Sequence, residues 1–467
     1  MLVRNFINTA ANTGVSSGLH SILKTGLLLI ALSATASSCS RFLEVEPKTS
    51  ISDQATIIDK TSAEQAVRGV YSALADGNYY GTSFPSIGYL SGDNVQWTGS
   101  QSQVQEFINH QVSAENSTIS GAWNAIYRTI NRANNVLEKV PGVTGPALTE
   151  NLRNQYLGEA YFLRALSYFD LVRTWGGVPL ITQSSKGPND NSGIARASEQ
   201  QTWSLVLDDL NRAEQLLPAT TDRYRATKKT VYALKSRYYL YQENWQEAAS
   251  YATLLLNEPS NYNLLGSYGA FFQNDARGTI ESVFELFYNG TTEVNAHRNQ
   301  WQPQINGGTR QWAPSPALIS LLTNPVTGGN RSVLIAQDNQ NRWYGNLYYR
   351  NPASDPSYII RTAELLLNRA EAYAHLGKIQ EALDDLNRVR VRAGLQAFDT
   401  DDAEALLLAI EEERRLEFAF EPHRWFDLVR TGRAGLVLSI SDPNRFKLPI
   451  PAAQLLIDKA LVQNPGY

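Results

Sequence analysis

The chain has 467 residues, with 41 Lys and Arg against 45 Asp and Glu, a net charge of −4, and one cysteine. Mild acidity with scattered cations argues against nucleic acid as a partner, and a lone cysteine excludes a disulfide framework. Length alone suggests about three domains, yet no Pro/Ser-rich linker divides the chain, so one large helical body with long loops is expected.

The front end reads as a secretory signal. Arg4 and Lys24 precede a short apolar run, Leu27 to Leu32, which gives way to Ala36-Ser37-Ser38. A membrane span needs roughly 20 apolar residues, and this run is too short. A basic region, a short apolar region and a small-residue cleavage zone are the anatomy of an export signal. The single cysteine, Cys39, follows at once, as in a bacterial lipobox, although Ala36 stands where leucine is usual. Residues 1–38 are expected to be removed and Cys39 to carry lipid, anchoring residues 39–467 to a membrane. Removal takes two cations and no acid, so the charge moves from −4 to −6.

Helical patterns then dominate. Ser62 to Gln65 reads S-x-x-Q, a capping box, ahead of Ala66, Val67, Val70, Tyr71 and Leu74 on one face. A second helix carries Trp123, Ile126, Tyr127, Ile130, Ala133, Leu137 and Val140. A third, "YLGEAYFLRALSYFDLVRTW", stops at Gly176-Gly177 with Pro179 beyond, and a fourth, "WSLVLDDLNRAEQLL", ends at Pro218. The stretches "ALKSRYYLYQENWQEAASYATLLL" and "NRAEAYAHLGKIQEALDDLNRVR" then align, with Tyr239 on Tyr373, Glu247 on Glu381 and Ala248 on Ala382. Each reads as a helical hairpin of the tetratricopeptide type, the copies separated by insertions rather than in tandem.

Two insertions lack helical periodicity: Asp76 to Gln103 and Asn289 to Pro316. Structureless loops beyond about 12–15 residues are uncommon and often functional. Together they are rich in Trp, Tyr, Asn and Gln. A sugar ring has an apolar face, which Trp and Tyr cover, and a hydroxyl edge, which Asn, Gln, Asp and Arg match. Tyr79, Tyr80, Asp93, Asn94 and Trp97 in the first loop, with Arg298, Trp301, Gln304 and Trp312 in the second, are the expected ligand contacts.

No catalytic motif stands out. Among the acids in or beside the loops, Asp93, Glu106 and Glu293 belong to no motif, and residues 39–467 hold no G-x-S-x-G or H-E-x-x-H, so no catalytic residue, metal site or cofactor is expected. The dense motif Arg414 to Gly432 is read as scaffolding, with ion pairs along the helix at Glu411/Arg415 and Arg414/Glu417.

The blocks "GEAYFLRALSYFDLVRTWGGVPL", "AELLLNRAEAYAHLGKIQEALDDLNRVRVRAG", "IEEERRLEFAFEPHRWFDLVRTGR" and "LPIPAAQLLIDKALVQNPGY" resemble the SusD/RagB family of lipoproteins, in order along residues 39–467. Where that family has an Asp-Pro-Arg stretch, this chain has "TNPVTGGNRSVL". The resemblance implies an all-α body of tetratricopeptide-like hairpins with a loop-built binding face. It also implies capture of oligosaccharide or polysaccharide, less often peptide, at the outer membrane, as a lid on a SusC-like TonB-dependent transporter. A helical scaffold for other envelope proteins and a surface glycosidase are the alternatives.

Overall fold

A computed structural model describes residues 57–187, 190–273 and 276–467. The expected signal segment and Cys39 lie outside these residues.

The body is all-α. Helix α1, Lys60–Leu74, starts earlier than the S-x-x-Q pattern predicts, because Asp59 is the cap. Its carboxylate accepts from the Ser62 backbone N–H at 2.8 Å, and the Ser62 hydroxyl accepts from the Asp59 N–H at 3.0 Å. Ser62 therefore closes the capping box instead of opening the helix. The first predicted loop is not structureless: it folds into α2 (Ser83–Leu90), strand β1 (Val95–Trp97) and the start of α3 (Ser102–Ile108).

Helices α4 (Ser117–Lys139), α5 (Glu150–Trp175) and α6 (Glu199–Leu216) pack side by side, with α1 against α4. From Phe162 to its last residue α5 is buried on every face, as its lack of a polar stripe requires. Gly176 caps it with φ +77°, a left-handed conformation that favours glycine. A Cβ on Gly177 would meet the Ala197 carbonyl at 2.1 Å, so the paired glycines also let the next segment pack close.

Helices α7 (Lys228–Tyr241) and α8 (Trp245–Leu256) form the first predicted hairpin. Then come β2 (Ser282–Leu286), α9 (His297–Trp301), β3 (Trp312–Pro314), α10 (Pro316–Thr323), β4 (Ile335–Gln337), β5 (Trp343–Gly345) and β6 (Ser357–Arg361). The second hairpin is α11 (Thr362–His375) with α12 (Ile379–Arg392). The chain closes with α13 (Ala403–Glu417), α14 (Arg424–Arg430), α15 (Ala434–Val437) and α16 (Ala452–Ile457). Although separated in sequence, the two hairpins stack directly, α8 against α11. Ala248, Ala249 and Ala372 sit buried at that contact, where small side chains let the helices approach. The Trp245 and His375 rings stack across it at 3.9 Å.

The strands pair as three antiparallel ribbons, β1–β3, β2–β6 and β4–β5. Beneath β2–β6 lies a buried ionic network. Arg361 pairs with Glu281, Glu417 and Glu421; Arg392 with Glu281 and Glu417; and Arg331 with Glu413 and Glu417. Burial alone would raise the Glu417 pKa, but the three guanidiniums outweigh it and hold the carboxyl down at about 2. This corrects the reading of ion pairs along one helix. Glu417 reaches three arginines on other segments, Arg414 pairs with Asp427, and Glu411 pairs with Arg424 and Arg433. The motif is a scaffold, built from contacts between segments.

Candidate functional site

The two loops singled out by their aromatics are stitched together by β1–β3, with Val95 opposite Pro314, Gln96 opposite Ala313 and Trp97 opposite Trp312. The Gln96 amide donates to the Pro314 carbonyl at 2.8 Å, and the Thr98 hydroxyl to the Arg310 carbonyl at 2.6 Å. At its N-terminal end the ribbon is bolted to the helical body. Asp93 pairs with Arg424 at 2.7 Å and Arg415 at 3.0 Å. Burial pushes the Asp93 pKa up, but the Arg424 hydrogen bond and both guanidinium charges prevail and hold it below the usual carboxylate range. Asn94 is buried and exchanges two hydrogen bonds with Arg415, donating to its carbonyl and accepting from its Nε.

Most of the nine expected contact residues are therefore structural, and the expectation is corrected on burial. A buried ring has no face to offer a ligand. Trp301 and Trp312 pack edge to face at 5.6 Å, against Tyr89 and beside His297. Trp301 also leans on Phe420 at 4.7 Å. Burial drives the His297 pKa down to about 4, so this cluster is uncharged at neutral pH. Tyr79 donates to buried Asp170 at 2.7 Å, and Tyr80 packs on Tyr79 at 4.8 Å. Arg298 is spent on the Asn306 carbonyl at 2.6 Å, which shapes its own loop. Asp93 and Asn94 join strand to body. Gln304 remains exposed, and Trp97 is half-buried.

Trp97 edges a groove of about 440 Å³ lined by Gly99, Ser100, Gln101, Ser102, Gln105, Glu106, Asn109 and Gln111. The residue packs on the core and remains partly exposed. Gly99 makes this arrangement possible, since a Cβ there would lie 2.2 Å from the indole Cζ2. The Gln105 amide donates to the Asn109 side-chain carbonyl at 3.0 Å, linking two residues of the groove lining. Glu106 is anchored by Oε2, which accepts from Ser113 N–H at 2.9 Å and Asn116 Nδ2 at 2.8 Å. One aromatic plane beside a row of amides and hydroxyls is chemically suited to a polyhydroxylated ring.

Apart from Trp97, this lining was missed from sequence. A signal was present: Gln101, Gln105 and Asn109 recur every four residues, the spacing of one helical face. Three acids singled out near the loops sit in different surroundings. Asp93 is locked to arginines, Glu106 lies on the Trp97 groove, and Glu293 lines a separate cleft with Tyr71, Tyr224 and Phe287. Among the described residues no cluster of three His, Cys, Asp or Glu is arranged to hold a metal, and no helix is long and apolar enough to cross a membrane.

Comparison with known proteins agrees with this architecture. A family model described as "Starch-binding associating with outer membrane" matches residues 41–240, and the SusD family model matches residues 340–445. "SusD-like protein P38" of Formosa agariphila is 29% identical, over 95% of this chain and 98% of its own. A "SusD-like protein" of Bacteroides ovatus is 24% identical over 87% of this chain and 82% of its own. Among solved structures, a SusD superfamily protein from Bacteroides vulgatus superposes with a TM-score of 0.78 at 23% identity, covering 88% of this chain and 99% of that one. A "Laminarin binding SusD-like protein" superposes at 0.76 with 25% identity, covering 88% and 100%. Two family models, one in each half of the chain, and a relative that matches it nearly end to end lead to one conclusion: the chain belongs to the SusD/RagB family.

Proposed function

We propose that this chain is a substrate-binding lipoprotein that captures oligosaccharides at the cell surface and delivers them to a SusC-like TonB-dependent transporter. The observation that carries the reading is the partly exposed Trp97 at the edge of an amide-lined groove. A laminarin-binding relative of the same fold supports the ligand class. Cys39, acylated after removal of residues 1–38, anchors the body to the outer membrane with its binding face outward. Two or more acyl chains hold stably where one does not.

The chain binds and does not hydrolyse. Glycoside hydrolysis needs two carboxylates facing each other across the sugar, and Asp93, Glu106 and Glu293 are not so arranged. A single stacked sugar buries on the order of 100 Å² of apolar surface, which at about 25 cal/mol per Å² gives roughly 2–3 kcal/mol. Affinity in the micromolar to millimolar range is expected. Weak capture suits a lid that must release its cargo, because tethering beside the barrel supplies a high effective concentration.

Titration calorimetry with fragments of laminarin, starch and xylan tests the reading, alongside analysis of each mixture after prolonged incubation. Binding without shortening of any fragment supports it. Release of shorter products would favour a hydrolase, and binding of protein but no glycan would favour a scaffold.

A further inference from the structure

Resting on that reading of the Trp97 groove, we infer that the site selects neutral oligosaccharides and discriminates against uronic-acid and sulfated ones. The inference comes from the charge lining the groove. Gln101, Gln105, Asn109 and Gln111 supply amides, Ser100 and Ser102 supply hydroxyls, and neither Lys nor Arg is among the lining residues. The one ionisable side chain in the lining is Glu106, a carboxylate. Carboxylate and sulfate groups on a sugar are recognised by guanidinium or ammonium groups. Here an anionic sugar would lose water from its charge, gain no cation, and face Glu106.

No neighbouring cation stands in the groove lining. Arg415 and Arg424 close on Asp93 at 3.0 and 2.7 Å. Arg310, across the ribbon from Thr98, donates its Nε to the Trp343 carbonyl at 2.9 Å. His110 stands between Asn109 and Gln111 in sequence, but its ring stacks on Trp425 at 5.7 Å and hydrogen-bonds the Ser91 carbonyl at 2.9 Å. Burial lowers its pKa, which keeps the imidazole neutral at pH 7. Amides, by contrast, offer donors and acceptors that match hydroxyls without charge. The net charge of −4 over the whole chain adds a long-range field of the same sign as Glu106.

The test uses the full chain in detergent, titrated with neutral laminarin, starch and xylan fragments, with their sulfated derivatives, and with polygalacturonate and alginate fragments. A neutral fragment is expected to bind with an affinity nearly unchanged between low and high salt, and its sulfated form at least tenfold more weakly. Gln105→Arg is expected to raise affinity for the sulfated fragment about tenfold and make it salt-sensitive. Glu106→Gln is expected to narrow the gap between the two. An anionic fragment that binds as tightly as any neutral one, and loses that binding in Trp97→Ala, would overturn the selectivity while leaving the groove as the glycan site. If no fragment binds, or if Trp97→Ala binds all of them like the native chain, the glycan-site reading fails and the selectivity falls with it.

Discussion

Trp97 and Trp312 face each other in register across β1–β3, yet Trp312 is buried and Trp97 remains partly exposed. One cross-strand pair thus does two jobs. Trp312 joins Trp301, Tyr89 and His297 in the core, fixing the ribbon to the body. Trp97 packs on the edge of the core and lines the groove.

The two buried tryptophans are expected to be stability residues. Trp301→Ala and Trp312→Ala should each cost about 3–5 kcal/mol, the usual range for deleting a buried large aromatic. Thermal melts monitored by circular dichroism read this as an early transition. A variant that melts like the native chain while losing glycan would return that tryptophan to the ligand site.

Gly99→Ala probes the placement of the indole without touching a ligand group. The new methyl would fall 2.2 Å from Cζ2 and 2.5 Å from Cη2 of Trp97, so the ring must swing. Gly99 is exposed at the strand end, and little stability should be lost. Glycan affinity is expected to fall severalfold with an unchanged melting temperature; an unchanged affinity would mean that ring position does not matter.

Glu417 ties three buried arginines together, and replacing it leaves them short of charge. Glu417→Gln is expected to cost about 3–5 kcal/mol at pH 7, the range for breaking a buried ion pair from one side. The pH dependence follows from the direction of its shift. The folded pKa, about 2, lies below the ordinary glutamate value of 4.5. The stabilisation is therefore complete above pH ~5 and lost as pH falls from about 4.5 towards 2. Denaturant titrations of both proteins should show their difference constant near neutrality and shrinking in acid. A difference that grew in acid would contradict the assignment.

Anchoring and partnership are tested together. Cys39→Ala should move the protein from the membrane fraction to the soluble one, and mass spectrometry of the native protein should find acyl chains on Cys39. Gentle detergent extraction should recover a TonB-dependent transporter with it. Recovery of the chain alone at low salt would count against the lid role.

Much of the fold was legible because its signals are local. The period of the α4 apolar positions, the glycine stop after Trp175, and the paired hairpins with Ala248 and Ala382 all survive in the structure. The stacking of those hairpins is a long-range contact that spacing alone does not encode. The site was harder to read. Trp97, Trp301 and Trp312 have the same composition cue, and burial, which separates them, depends on a β1–β3 pairing between residues more than 200 apart. Asp93 looked like a ligand group because its partners, Arg415 and Arg424, lie on distant helices. The row Gln101, Gln105, Asn109 was readable but lacked an aromatic to draw attention to it.

The most direct measurement is calorimetric titration of the native chain and Trp97→Ala with the same oligosaccharide panel, paired with thermal melts. The account predicts micromolar to millimolar binding by the native chain and at least tenfold weaker binding by Trp97→Ala, about 1.4 kcal/mol, with melting temperatures that agree. Equal affinities in the two proteins would contradict it.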